Sequence, residues 1–190
     1  MKEDINLVKR ENSYFFKEIY RKEEINLNDE CDGYLVQPNE KEIRRIISFL
    51  KEKNIKKFLA IMSLDDLTNK RFVETLNFDF LVSPENSLTK DSLKQKSSGL
   101  NLYLAKLCKK KKIKILISID NLIKRDKRDK ARIISRIIQN IKICRKADCD
   151  IKIASFSKNF FLEKKERERI GFSWGMSSQQ VAKCSLFDEI

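Results

Sequence analysis

The chain has 190 residues, of which 41% are hydrophobic and 36% are charged, so it is long enough and apolar enough to form one domain with a substantial core. Its apolar runs are too short for a membrane span, its N-terminus lacks the apolar stretch of a signal peptide, and glycine and proline are too rare for a collagen-like chain. Basic residues exceed acidic residues by 13, and the absence of histidine excludes Ser-His-Asp and Cys-His catalysis and zinc sites with imidazole ligands. We expect a single cytoplasmic domain over residues 1–190, with no membrane association and with its five cysteines reduced.

Short apolar runs with the composition of strands recur along the chain. They cover Ile5–Val8, Tyr34–Val36, Phe58–Met62, Phe78–Val82, Ile113–Ile119 and Ile151–Ala154, and a seventh strand is predicted at Phe172–Trp174. Several of these runs are apolar throughout, which is typical of parallel strands that are buried on both faces.

Amphipathic patterns fill the intervals and predict helices there. These helices are predicted within residues 11–24, 40–54, 67–76, 98–112, 126–146, 158–170 and 177–184. A long polar loop is predicted over residues 84–98. The alternation of strand and helix predicts a parallel sheet, either doubly wound or closed, and no glycine-rich phosphate-binding loop is present. Seven units favour closure, so the predicted fold is α/β and TIM-barrel-like, with about seven parallel strands and surrounding helices.

The positive charge is concentrated in residues 96–146. This segment contains 17 of the basic residues and only three acidic ones, whereas the rest of the chain has a net charge of −1. Such a segment predicts binding to the phosphate backbone of a nucleic acid.

The longest predicted helix separates its apolar and basic residues. At about 100° per residue, Arg128, Arg132 and Arg136 fall within a sector of about 80°, and the isoleucines occupy another sector. We predict that the isoleucines pack inward and that the arginines face outward, where the guanidinium fork fits phosphate oxygens.

Two other functions fit the sequence. Asp65, Glu85 and Asp120 follow predicted strands, so they could meet at one edge of the sheet and hold a magnesium ion in a phosphoester hydrolase. Alternatively, the positive charge could bind an acidic protein partner.

Residues 78–184 resemble the archaeal and eukaryotic RNase P protein subunit called component 3. The resemblance begins at Asp79 near a strand end and at the element Ser98–Asn101, which opens a helix. It continues through the strand Ile113–Ile119, a basic helix that ends at Arg145 and Lys146, a serine-rich turn after Ile153, and a glycine before the final helix Ser177–Cys184.

The resemblance implies a barrel-like protein subunit that has no catalytic residues of its own. In that family the RNA subunit removes the 5′ leader of precursor tRNA and binds the magnesium ions, and the protein supports that RNA beside a small RRM-like subunit and other RNase P proteins. With the basic segment, the resemblance predicts RNA contacts by Lys96, Ser98, Asn101, Arg125, Arg128, Arg132, Arg136, Lys146, Ser155 and Lys158.

Overall fold

The computed structural model describes residues 2, 4–92 and 96–184; residues 93–95 of the predicted long loop lie outside this range. The strands in these residues are β1 (Asp4–Asn6), β2 (Ser13–Ile19), β3 (Gly33–Val36), β4 (Phe58–Met62), β5 (Phe80–Val82), β6 (Lys114–Ser118) and β7 (Ile151–Ala154). The α-helices are α1 (Glu40–Glu52), α2 (Asp66–Thr75), α3 (Leu102–Lys110), α4 (Ile119–Ile123), α5 (Lys127–Ala147), α6 (Lys164–Ser173) and α7 (Ser178–Cys184). None of these helices combines the length and the apolar character that crossing a membrane requires.

All seven strands form one parallel sheet in the order of the sequence, β1 to β7. The sheet curves until its first and last strands meet. The N–H of Phe156 donates to the carbonyl of Ile5 at 2.9 Å, and the N–H of Leu7 donates to the carbonyl of Ser157 at 3.3 Å. The prediction of a TIM-barrel-like α/β fold with about seven strands is therefore confirmed.

Two hydrophobic cores follow from the alternation of side chains along each strand. One alternate set points into the barrel, where the rings of Phe16, Phe80 and Phe156 pack edge to face with centroids about 6 Å apart. The other set, which includes Ile61, Leu81 and Ile117, packs against the helices. This double burial explains why several of the strands, such as β4 and β5, are apolar throughout.

Two predicted elements are wrong, although the number of strands is right. Residues 11–24 were predicted to be helical, but Ser13–Ile19 forms strand β2. Only six residues join β1 to β2, so no helix fits between them. Lys17 and Glu18 fit the polar face of an amphipathic helix in the sequence. In the structure Lys17 pairs with Asp29 at 3.0 Å, and Glu18 accepts a hydrogen bond from Gln37.

The strand predicted at Phe172–Trp174 is instead the end of helix α6. In the structure Gly171 allows α6 to approach α7, since a Cβ atom there would lie 3.0 Å from Met176 and 3.4 Å from Val181.

Candidate nucleic-acid interface

The loops that follow β6, β7 and β1 meet at the carboxyl end of the barrel. Lys124, just after α4, pairs with Asp120, whose other carboxylate oxygen accepts a hydrogen bond of 2.9 Å from the Ser157 hydroxyl. Arg10, from the loop after β1, donates to the carbonyl of Lys158 at 3.0 Å. These bonds place cationic residues from three separate loops next to one another. We call the group Arg10, Lys124, Arg125, Lys127, Arg128 and Lys158 the carboxyl-end patch.

The two acidic residues at the start of α5 already have partners. Asp126 caps helix α5 by accepting the N–H of Asp129 at 2.9 Å, and Asp129 pairs with Arg132 at 2.9 Å. Within the part of the chain that the structure describes, Arg125, Lys127, Arg128 and Lys158 are exposed and have no ion pair. Their charge is therefore available to a polyanion.

Arg136 is in the interior, so the prediction that it faces outward is wrong. Its side chain is 0% exposed and pairs with Asp91 at 2.7 Å. The guanidinium also donates to the carbonyls of Glu85, Ser87 and Thr89 at 2.7–3.1 Å. It therefore holds the loop after β5 against α5. The isoleucine face packs inward as predicted, with Ile133, Ile137 and Ile141 buried.

The Ser98–Asn101 element is built to position the same loop. Gly99 has a φ of +70°, and a Cβ atom there would lie 2.0 Å from the carbonyl oxygen of Pro84, so only glycine fits. Asn69 donates to the Gly99 carbonyl at 3.1 Å, and the Asn101 side chain caps α3 by accepting the N–H of Leu104 at 2.9 Å. Ser98 is buried and bonded to Gln139 at 3.1 Å. The element thus has a structural role, and its serine faces the interior rather than solvent.

The other predicted contacts are scattered over the molecule. Ser155 is buried and donates to the Ile5 carbonyl at 3.0 Å, which helps to close the barrel. Lys96 is exposed on the loop that covers the middle of α5, where its carbonyl accepts a bond from Gln139. Lys146 lies in the last turn of α5, at the opposite end of the barrel from Arg128. The structure therefore brings together only Arg125, Arg128 and Lys158 from the predicted set, with Arg132 one turn along α5.

Three members of the patch were not among the predicted contacts. Lys124 and Lys127 lie within the basic segment, but Arg10 does not. Arg10 lies far outside residues 96–146, and only the contact between the β1 and β7 loops brings it to the site. No pattern in the sequence indicates that contact.

The three carboxylates proposed for magnesium do not form a site. Asp65 caps α2 by accepting N–H bonds from Leu67 and Thr68 at 3.0 Å, and Asp120 is bound by Lys124 and Ser157. Among the described residues, no group of three or more His, Cys, Asp or Glu side chains is arranged to hold a metal ion. The hydrolase alternative loses the site on which it depended.

Glu85 is a buried carboxyl group under the loop that Arg136 holds. It is 2% exposed, and its Oε2 atom has no hydrogen-bond partner among the described residues. Burial raises the pKa of this carboxyl from 4.5 to about 7, against the opposing effects of hydrogen bonds and of the charge on Arg136. Glu85 is therefore protonated more readily in the folded chain than in the unfolded chain.

This difference predicts that stability falls as the pH rises from about 4.5 to about 7, because ionising Glu85 is unfavourable only in the folded state. We expect the urea midpoint of the wild type to be higher at about pH 5 than at about pH 8. Glu85→Gln keeps the neutral shape and should reduce this difference. A Glu85→Gln chain with the same pH profile as the wild type would show that another group causes it.

Comparison with known proteins supports the resemblance seen in the sequence. No family model matches the chain. A curated relative, Ribonuclease P protein component 3 of Methanococcus vannielii, is 26% identical over 149 residues, or 78% of this chain. The match spans 61% of the length of that relative.

Solved structures share the barrel. A chain in the cryo-EM structure of archaeal ribonuclease P with mature tRNA has a TM-score of 0.72 at 18% identity, and the match covers 95% of this chain and 85% of that one. An amidohydrolase has a TM-score of 0.54 at 11% identity, covering 84% of this chain and 42% of its own. Ochratoxinase from A. niger has a TM-score of 0.55 at 10% identity, covering 82% of this chain and 38% of its own. These likenesses establish the fold, and the curated relative confirms that this chain resembles the RNase P protein component 3 family in sequence.

Proposed function

We propose that the chain is an RNA-binding protein subunit of RNase P that supports the catalytic RNA in removing the 5′ leader of precursor tRNA. The observation that carries the proposal is the carboxyl-end patch, where Arg125, Lys127, Arg128 and Lys158 are exposed and form no ion pair with any of the residues that the structure describes. Similarity to an RNase P protein in sequence points to the same class of partner.

The patch suits a phosphate backbone more than an individual base. Arginine and lysine bind phosphate oxygens at any sequence, and each contact releases condensed counterions. Cations held near RNA phosphates also reduce their mutual repulsion, so an RNA that carries out the cleavage would need less magnesium. In this proposal the magnesium ions are bound by the RNA and none is held by the protein.

The proposed partners are the RNase P RNA, precursor tRNA, a small RRM-like protein subunit and other RNase P proteins, all in the cytoplasm. No contact in the described residues favours the alternative of an acidic protein partner. Such a partner would, however, bind through the same positive charge as RNA. One experiment distinguishes the two.

The experiment recovers the tagged full chain from a native cell extract and identifies the bound molecules by RNA sequencing and mass spectrometry. We expect RNase P RNA and precursor tRNA to be enriched, and we expect little acidic protein to remain bound to the chain after ribonuclease treatment of the extract. The matched controls are Arg125→Glu/Arg128→Glu/Lys158→Glu, which should lose the RNA, and Lys41→Glu/Lys53→Glu/Lys56→Glu on the α1 side of the barrel, which should retain it. Recovery of an acidic protein without RNA would refute the proposal.

A further inference from the structure

The exposed cations of helix α5 itself form two groups rather than one, with Lys96 exposed on the loop that covers the middle of the helix. Between Arg132 and Lys142, helix α5 contains a single basic residue, Arg136, and it is fully buried. Lys142 and Lys146 are exposed again near the end of the helix. Arg128 and Lys146 are 18 positions apart, which corresponds to about 27 Å along a helix. The second group is therefore well separated from the carboxyl-end patch.

The end of helix α3 joins the end of α5 to complete the second group. Lys109, in the last turn of α3, pairs with Asp148, the residue that caps α5. This contact places Lys110 and Lys112 beside the last turn of α5. We call Lys110, Lys112, Lys142 and Lys146 the amino-end patch, because it lies where the strands begin.

Structural roles account for some of the lysines at this end but not for the amino-end patch. Lys109 neutralises Asp148, and Lys111 donates to the carbonyl of Glu74 at 2.7 Å. Lys110 and Lys112, which alternate with them, are exposed and have no hydrogen bond or ion pair from their side chains in the described part of the chain.

A cavity of about 440 Å³ opens at the same end, but its lining has charges of both signs. Lys109 pairs with Asp148 in its wall, and Lys183 lies 3.7 Å from Asp150. Lys112 of the amino-end patch also lines this cavity, whereas Lys110, Lys142 and Lys146 do not line it and are exposed at the surface. A surface row of this kind suits an extended polyanion better than a small anion enclosed in the cavity.

We infer that the amino-end patch is a second binding surface for an RNA backbone, and that the chain holds two separate RNA segments at opposite ends of the barrel. The inference rests on the proposed function, since it takes RNA to be the partner of the carboxyl-end patch. The protein then acts as a rigid bridge whose span is set by the length of α5.

The test uses the full chain and RNA duplexes too short to reach both ends of α5. One duplex is immobilised, the protein is bound to it, and capture of a second, fluorescent duplex is measured. The wild type should capture the second duplex. The Lys110→Glu/Lys112→Glu/Lys146→Glu chain should still bind the immobilised duplex. The amount of the second duplex that it captures should be lower by a factor of about ten or more, because three phosphate contacts are lost. The Lys41→Glu/Lys53→Glu/Lys56→Glu chain should behave as the wild type.

Capture that survives the amino-end changes would overturn the inference, because bridging would then come from two carboxyl-end patches in a dimer. Binding of one duplex by the wild type, with no capture of a second, would overturn it as well. Failure of the proposed function looks different, since the wild type would then bind neither duplex. The substituted lysines are exposed and have no side-chain partner among residues 2, 4–92 and 96–184, so urea midpoints should match the wild type and exclude misfolding as the cause.

Discussion

Replacing Arg136 with alanine is expected to lower the free energy of unfolding by about 3–5 kcal/mol, as is typical when a large and fully buried side chain is truncated to alanine. The guanidinium is fully buried, pairs with Asp91 and donates to three loop carbonyls. Alanine would leave these acceptors without donors and would open a cavity between the loop and α5. Urea denaturation measures the loss directly.

Two further variants make this prediction specific. Arg132→Ala removes an exposed pair with Asp129 and should cost about 0.2–1 kcal/mol. Arg136→Lys keeps the charge but cannot reach several acceptors with one ammonium group, so it should lie between alanine and the wild type. Equal losses for Arg132→Ala and Arg136→Ala would contradict the interior role of Arg136.

The second large effect concerns RNA. We expect Arg125→Ala/Arg128→Ala/Lys158→Ala to reduce the slope of log affinity against log salt by about 2–3, since each lost phosphate contact removes about 0.7–0.9. At about 0.1 M salt this corresponds to an affinity for RNase P RNA that is lower by a factor on the order of 100. Filter binding over a series of salt concentrations gives both quantities.

The control for this prediction carries the same change in net charge. Lys41→Ala/Lys53→Ala/Lys56→Ala removes three exposed lysines that have no partner among the described residues, and they lie on the α1 side of the barrel. It should leave the slope nearly unchanged. If both triple variants reduce the slope equally, binding depends on net charge and the carboxyl-end patch is not a specific interface.

The sequence was sufficient to predict the barrel because local patterns and global fold agree there. Runs such as Phe58–Met62 are apolar on both faces because one face fills the barrel and the other meets the helices. Strand β2 was missed because only six residues separate it from β1, and because its polar residues Lys17 and Glu18 pair with side chains of the loops on either side of β3 rather than standing alone in solvent.

The candidate site could be predicted only in part, because a helical wheel describes an isolated helix. It placed Arg136 near Arg132, close to the edge of the isoleucine sector. Which side of that edge is buried depends on the loop after β5, whose carbonyls cover Arg136. The positions of Arg10 and Lys146 also depend on the tertiary structure rather than on one helix. Arg10 reaches the site because the barrel closes, and Lys146 lies at the far end of α5 from Arg128.

The most direct test of the central claim measures leader removal from precursor tRNA as a function of magnesium concentration. The reaction would contain the RNase P RNA and its other protein subunits, with and without this chain. If the chain binds the RNA and the RNA catalyses the cleavage, the chain alone forms no product. Adding the chain to the reaction then lowers the magnesium concentration that leader removal requires. The Arg125→Ala/Arg128→Ala/Lys158→Ala chain should lose most of that shift. Leader removal by the chain without RNA, or an unchanged magnesium requirement when it is added, would contradict the account.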